Sequence, residues 1–380
     1  KEYLAFCYFT FGFVMSFPAI AVQFIFTDKM HISPVTMAVS YSIASMPWCV
    51  KPIYGYISDK YALFNWGKRR PYIAYSGLFA SYIYISLGKV TNDFYATVAM
   101  LSGASLLICV ADVCADSITV ELVKSEKDRG VLQSNNWIAR ALGTLVGSFA
   151  GGMSYDVIGA DAVFKLTGLM PLLMALFVWK LPKSKVKAMD STVWHLLWAN
   201  VTDQRELALI LFLITIPPNY GTFYTYFLRE ELKYTPVDFT WLSMSASLSF
   251  LLGVVSYRLY FRHKDPATIL RIGIWTATIC RITQLFVVQK VKTEFWLVLL
   301  DGVAESFCGQ LLIMPLIVYT AEKTSVGVEG SLFALMMSIS NVSNVIADQL
   351  GALLASAFNV TSNDFDNLGY VMGVSIFLDL

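Results

Sequence analysis

Apolar stretches of about 18 to 28 residues, each long enough to cross a bilayer as a helix, recur along this 380-residue chain between short polar turns. A hydrocarbon layer holds no water to satisfy an open backbone, so such stretches must close their own hydrogen bonds as helices. Charged residues make up only 14% of the chain and apolar ones 56%, whereas soluble domains run near ~25% charged. Mean hydropathy is +0.59. An all-α polytopic membrane protein is the class these values define, with the lipid bilayer as its first partner.

Composition also excludes several functions. The net charge is +1, and the basic residues gather in short loops and not along one helix face, so no nucleic-acid partner is expected. Cys7, Cys49, Cys109, Cys114, Cys280 and Cys308 all fall inside apolar segments, with no C-x-x-C pair among them. His31, His195 and His263 fall in loops or the linker. Neither a disulfide framework nor a zinc site follows. There is no phosphate-binding glycine loop, no G-x-S-x-G and no H-E-x-x-H, so an enzyme, an ATP-driven pump and a bound cofactor are all unexpected.

Twelve spans are predicted. Six lie at 3–26, 34–57, 71–89, 94–121, 130–153 and 160–181, and six at 206–228, 237–261, 266–289, 293–320, 329–357 and 366–380. The domains are then an N-terminal half, 1–181, a polar cytoplasmic linker, 182–205, and a C-terminal half, 206–380, with its last helix cut short. The chain opens at Lys1 without methionine and stops inside an apolar run at Leu380, so a piece of a longer protein is expected. Loops after even-numbered spans hold seventeen Lys and Arg, and loops after odd-numbered spans seven. By the positive-inside rule both termini are cytoplasmic.

Two apolar spans each carry a pair of carboxylates one turn apart: Asp112 and Asp116 on span 4, Asp301 and Glu305 on span 10. Spacing of i, i+4 puts each pair on one helix face. Asp301 follows Asp112, and Glu305 follows Asp116, by the same 189 positions. One ionised carboxylate at the bilayer centre costs about 3 kcal/mol or more. Matched pairs in two halves therefore point to a proton or substrate path inside a duplicated bundle. Pro18 interrupts span 1 and Pro217–Pro218 interrupts span 7, while Gly130 and Gly330 open spans 5 and 11. Six plus six parallel repeats with broken spans and a basic linker resemble the major-facilitator fold.

Depth along the helices suggests partners, at 1.5 Å per residue. Arg140 on span 5 matches Asp112 in height, Lys51 on span 2 matches Asp116, and Arg281 on span 9 matches Asp301. Pairing lowers the cost of burying each charge, and a pair broken by substrate or a proton is a workable switch. The competing reading is a static ion-pair lattice that fixes helix packing, and Lys51 is close enough to the interface to snorkel. Acids and bases from both repeats are expected to meet in one water-accessible chamber.

The polar and small residues divide along similar lines. Gln133 and Asn136 on span 5, and Asn341 and Asn344 on span 11, either bind a polar ligand or bridge helices. Tyr220 and Tyr224 on span 7 are candidates to stack on a flat ring. Gly143, Gly147, Gly151 and Gly152 form a ridge for close helix packing. The loop from Gly55 and Asp59 to Lys68, Arg69 and Arg70 is the pattern of a cytoplasmic latch, lengthened before Gly67.

Four blocks carry a family resemblance: WCVKPIYGYISD at 48–59, ADVCADSITVE at 111–121, GVLQSNNWIARALG at 130–143 and EGSLFALMMSISN at 329–341. In order and membrane placement they resemble the folate–biopterin transporter family, a branch of the major facilitator superfamily. The resemblance implies secondary transport of folates, pterins or related compounds, coupled to protons in several members. It places Lys51, Asp59, Asp112, Asp116, Arg140 and Glu329 at the family's motif positions. The family usually shows a Tyr-Arg-Arg-Arg-type loop where this chain has Gly67-Lys68-Arg69-Arg70. That departure is similar to sucrose-type symporters.

The expected function is thus a monomeric secondary transporter of a folate, pterin or related anionic heteroaromatic compound, in the plasma membrane or that of an organelle such as a plastid. Candidate substrate or proton groups are Asp112, Asp116, Arg140, Asp301, Glu305, Arg281, Lys51, Gln133, Asn136, Tyr220 and Tyr224; candidate gating groups are Gly55, Asp59, Lys68, Arg69, Arg70 and Glu329. Rival readings are a sugar symporter, a carrier of another small metabolite and a receptor that moves nothing.

Overall fold

The computed structural model describes residues 2–61, 63, 67–122, 126–181, 205–261, 264–323 and 329–379. Every regular element among them is helical. The expected linker at 182–205 lies outside them except for Arg205, which opens a helix.

Span 1 is Glu2–Ser16, broken at Phe17–Pro18, then Ala19–Phe24 and a π turn Ile25–Lys29. Proline supplies no N–H and its ring clashes with the turn before it, so the helix restarts beyond it. Span 2 is Pro34–Ser45, a 3-10 segment Met46–Val50 and Lys51–Lys60. Ser33 caps its start by accepting from the Thr36 amide at 3.1 Å. Spans 3 and 4 are Arg70–Leu87 and Phe94–Leu122. Spans 5 and 6 share the run Glu126–Phe177, and they part at Gly159, whose φ of 74° and ψ of 170° lie outside any helix.

In the second half, span 7 is Arg205–Thr215 and Gly221–Glu230, parted at Pro217–Pro218. Spans 8 to 12 are Pro236–Ser256 with a π turn Tyr257–Phe261, Pro266–Val288, Phe295–Lys323, Glu329–Ala357 and Leu368–Asp379. Among the described residues, five segments are long and apolar enough to cross a membrane by themselves: Glu2–Lys29, Phe94–Thr119, Asn135–Lys180, Pro236–Phe261 and Phe295–Leu316. The remaining crossings are interrupted, shorter or more polar, and are tolerable in lipid where neighbouring helices satisfy them.

Spans 1 and 5 meet backbone to backbone. A Cβ on Gly143 would stand 2.0 Å from the Phe9 carbonyl oxygen, and one on Gly151 2.0 Å from that of Phe17. Without lipid exclusion to drive helices together, this closeness supplies the packing contact. Gly55 is different: a Cβ there would make only an ordinary 3.6 Å contact with Val113.

The halves touch along several seams. Ser148 of span 5 and Ser247 of span 8 share a 2.9 Å hydrogen bond. Asn341 of span 11 donates to the Trp48 carbonyl of span 2 at 3.0 Å. On the face opposite the basic loops, Arg229 pairs with Asp28 at 2.6 Å and lies 4.4 Å over the Phe24 ring. Beside them the Tyr226 hydroxyl donates to the Ile32 carbonyl at 2.7 Å. The ends of spans 1 and 7 are thus drawn together on that face.

Candidate functional site

The acids on span 4 do share one face, and the structure gives them different partners. Asp112, 1% exposed, accepts from both Lys51 Nζ at 2.7 Å and Arg140 Nη1 at 2.9 Å. The Arg140–Asp112 pairing read from depth holds. Lys51 does not pair with Asp116, because its flexible four-carbon stem covers the 5.4 Å of one turn and reaches Asp112. Asp116 takes the Tyr8 hydroxyl from span 1 instead. Asn136 donates to Thr119 Oγ1 at 2.9 Å, tying span 5 to span 4. Trp48 stands under both cations, with Lys51 Nζ at 4.7 Å and the Arg140 guanidinium at 5.7 Å, and its indole N–H donates to Ser105 at 2.9 Å. Four spans therefore close on one buried charged cluster.

The second pair is arranged otherwise. Asp301 accepts from the Thr283 hydroxyl at 2.6 Å, and Glu305 accepts from the Gln284 amide at 2.9 Å and lies 3.8 Å from Arg281 Nε. The expected Arg281–Asp301 pair is not formed. Arg281 and Gln284 stand i, i+3 and both reach Glu305, whereas Thr283, next to Gln284, reaches Asp301 one turn away on span 10. Matching depth fixed the height of these groups and left their azimuth open. The Tyr220 hydroxyl extends the chain by donating to Gln284 Oε1 at 2.8 Å.

A cavity of about 610 Å³ opens beside this second cluster. Arg281, Glu305, Gln284, Tyr220, Tyr224 and Asn344 are among its walls, and Gln23 is its one wall residue from the first half among the described residues. Asp112, Asp116, Lys51 and Arg140 are not wall residues. The expectation of one chamber shared by acids of both repeats is corrected accordingly: the first-half charges neutralise one another in a packed cluster, and of the second-half groups Arg281 and Glu305 line the opening while Asp301 is buried behind its walls.

The break in span 7 shapes this cavity. Backbone groups freed by Pro217 and Pro218 are met by neighbours: Asn219 N–H donates to the Ala347 carbonyl at 2.9 Å, and Ser375 Oγ to the Pro218 carbonyl at 2.7 Å. Asn219 Nδ2 also donates to Asp348 at 2.7 Å, so Asp348 braces the break. Discontinuous spans with irregular backbone commonly line transport sites.

Of the remaining candidates, Lys68 and Arg69 are buried, 5% and 6% exposed, and Arg70 opens span 3. Basics present only to anchor a loop at the interface would stay solvated. Asp59 lies in the last turn of span 2, Gln133 within span 5 and Glu329 at the start of span 11, and their side chains lie outside the described residues. Sequence reasoning missed Tyr8, Gln23, Trp48 and Gln284. The first three sit in apolar runs, where a polar atom is inconspicuous; Gln284 was legible as the i+3 neighbour of Arg281.

Taken together, paired six-helix halves, broken first and seventh spans and a cavity walled by charged and aromatic groups define a polytopic membrane protein of the major-facilitator fold. Solved structures agree on that architecture. The D-xylose-proton symporter superposes with a TM-score of 0.76 at 14% identity, covering 99% of this chain and 96% of that one. The nucleoside transporter NupG superposes with a TM-score of 0.78 at 11% identity, covering 100% and 98%.

The profile of the BT1 family matches residues 12–191 and 178–379, and the chain belongs to that family. Its sequence is 27% identical to a folate-biopterin transporter of Synechocystis sp., over 96% of this chain and 76% of that protein. It is 23% identical to folate transporter 1 of Plasmodium falciparum, over 93% and 72%. Against probable folate-biopterin transporter 7 of Arabidopsis thaliana the identity is 25%, over 98% and 88%. The chain is an integral multi-pass membrane protein of a transporter family, not an enzyme.

Proposed function

We propose that the protein is a secondary active transporter that moves a folate, a pterin or a related anionic heteroaromatic compound by alternating access, coupled to protons. One observation carries the reading: a cavity of about 610 Å³ walled by a guanidinium, a carboxylate, an amide and two tyrosine rings. That volume lies within the ~300–1,000 Å³ typical of sites that enclose such ligands. Arg281 suits a ligand carboxylate, Glu305 and Gln284 suit the amino and lactam edge of a pterin ring, and Tyr220 and Tyr224 offer flat surfaces. The names of the curated relatives support the same class.

The two halves, 1–181 and 206–380, rock about this site, with the linker 182–205 and both termini on the cytoplasmic side of the plasma membrane. A single copy suffices, since each copy holds a complete site. Asp116 and Asp301 are the proton-carrying candidates, because each is tied to a neutral hydroxyl and a proton there displaces no ion pair, whereas Glu305 stands 3.8 Å from Arg281. Asp112 holds the first half together.

Uptake of labelled folic acid into proteoliposomes, with and without an inward proton gradient, tests this reading. Gradient-stimulated uptake that excess unlabelled pterin suppresses and excess sucrose leaves intact is expected. Suppression by sucrose alone would move the substrate to the sugar class, and absence of flux for either would end the carrier reading.

A further inference from the structure

Two residues that line the cavity each carry a buried polar atom with no hydrogen-bond partner among the described residues: Gln23 at Nε2 and Tyr224 at its hydroxyl. Tyr224 is 9% exposed and stands on span 7 beyond the Pro217–Pro218 break. Gln23 stands on span 1 beyond the Pro18 break, in the short helix Ala19–Phe24. Each is thus carried by the short outer piece of an interrupted span, one from each half. Their neighbours are satisfied: the Tyr220 hydroxyl donates to Gln284, and Asn219 donates to Asp348. A buried donor left without an acceptor is destabilising, and native proteins rarely keep one without a use.

We propose that Gln23 and Tyr224 together bind an acceptor oxygen of the transported compound, a carboxylate or ring-carbonyl oxygen on a planar heterocycle. The proposal rests on the carrier reading above and extends it. An amide Nε2 is donor-only and a phenol donates readily, so both ask for an acceptor. A ligand oxygen that reaches both joins span 1 to span 7, beneath the Asp28–Arg229 and Tyr226–Ile32 contacts that already close that face. Filling the site therefore favours the closed outer face, and emptying it releases one of the ties between the halves. Arg281 and Glu305 serve the charged part of the ligand; this pair sets its position across the seam.

The full chain, purified in lipid nanodiscs, separates the possibilities. Variants Gln23→Met and Tyr224→Phe remove the partnerless atoms at nearly constant volume, and Tyr220→Phe removes a satisfied one. Without ligand, the first two are expected to melt no lower than the parent, since they lose no internal bond, and Tyr220→Phe to melt lower. Binding of folic acid is expected to weaken about five- to tenfold in each of the first two, the loss of one hydrogen bond. Of the two oxygen types proposed, pterin carries only the ring carbonyl and p-aminobenzoylglutamate only the carboxylates, so whichever probe loses affinity alongside folic acid tells the two apart. Unchanged folic acid binding in both variants, or a lower melt of both without ligand, would overturn the pairing. Should none of the three probes bind the parent protein, the substrate reading fails, and the ligand-free melts alone decide whether the two atoms are unpaired.

Discussion

Asn341 on span 11 donates its side-chain amide to the Trp48 carbonyl on span 2, joining the second half to the residue that underlies the first-half cations. Trp48 sits in the 3-10 segment Met46–Val50, whose carbonyls are served from three positions on, so the Asn341 amide is a second donor to an oxygen with two lone pairs. Loss of the amide in Asn341→Ala should lower stability by about 0.5–1.5 kcal/mol. Thermal melts of parent and variant check this; an unchanged melt would show that the contact between the halves contributes nothing.

The cluster on span 4 should respond unequally to removal of its two acids. In Asp112→Asn, Lys51 and Arg140 both lose their anion, and breaking a buried pair in this way costs about 3–5 kcal/mol. Asp116→Asn only exchanges one acceptor of the Tyr8 hydroxyl for another and should cost less than half as much. Yield and melting temperature of the purified variants report the difference. Equal losses would contradict the assignment of both cations to Asp112.

Within the cavity, Arg281→Gln should raise the KM for folic acid uptake about ten- to a hundredfold, the worth of one charge-assisted hydrogen bond. Pterin, which has no carboxylate, should be moved far less. Concentration-dependent uptake of the two compounds in parallel gives the ratio, and equal effects on both would place the carboxylate elsewhere.

On the face opposite the basic loops, Arg229 links span 7 to Asp28 of span 1 and covers Phe24. The pair is partly exposed, so its removal should shift the balance of states by only ~1 kcal/mol or less. A cysteine placed at Thr27, which is buried in the closed form, should react with a membrane-impermeant maleimide about two- to fivefold faster in an Arg229→Gln background. No acceleration would show that this ion pair does not hold the face shut.

The start of span 9 should soften in acid. Thr268 hydrogen bonds from hydroxyl and amide hold Asp265 below its ordinary 3.8, so this cap is fully present above that value and is lost as pH falls through the lowered one. Hydrogen exchange of the Thr268 amide between pH 5 and 2 should accelerate beyond the intrinsic trend only at the acid end, and the acceleration should vanish in Asp265→Ala.

Span positions, the breaks at Pro18 and Pro217–Pro218 and the shared face of each acid pair were all legible in the residues. Length in an apolar medium, a missing N–H and a 3.6-residue period are local properties, and any stretch of chain displays its own. The four motif blocks carried the family for the same reason, since each is short and contiguous. Choice of partner was not local. Lys51 reached Asp112 over Asp116 and Arg281 turned to Glu305 over Asp301 because packing sets azimuth and reach, which depth along separate helices leaves open. Nor did anything in the repeat foretell that one half would neutralise its charges internally while the other presented Arg281 and Glu305 to a cavity. That asymmetry, and the placing of Gln23 and Tyr224 around one cavity, arise only when two halves of unlike sequence are pressed together and their side chains compete for the same space.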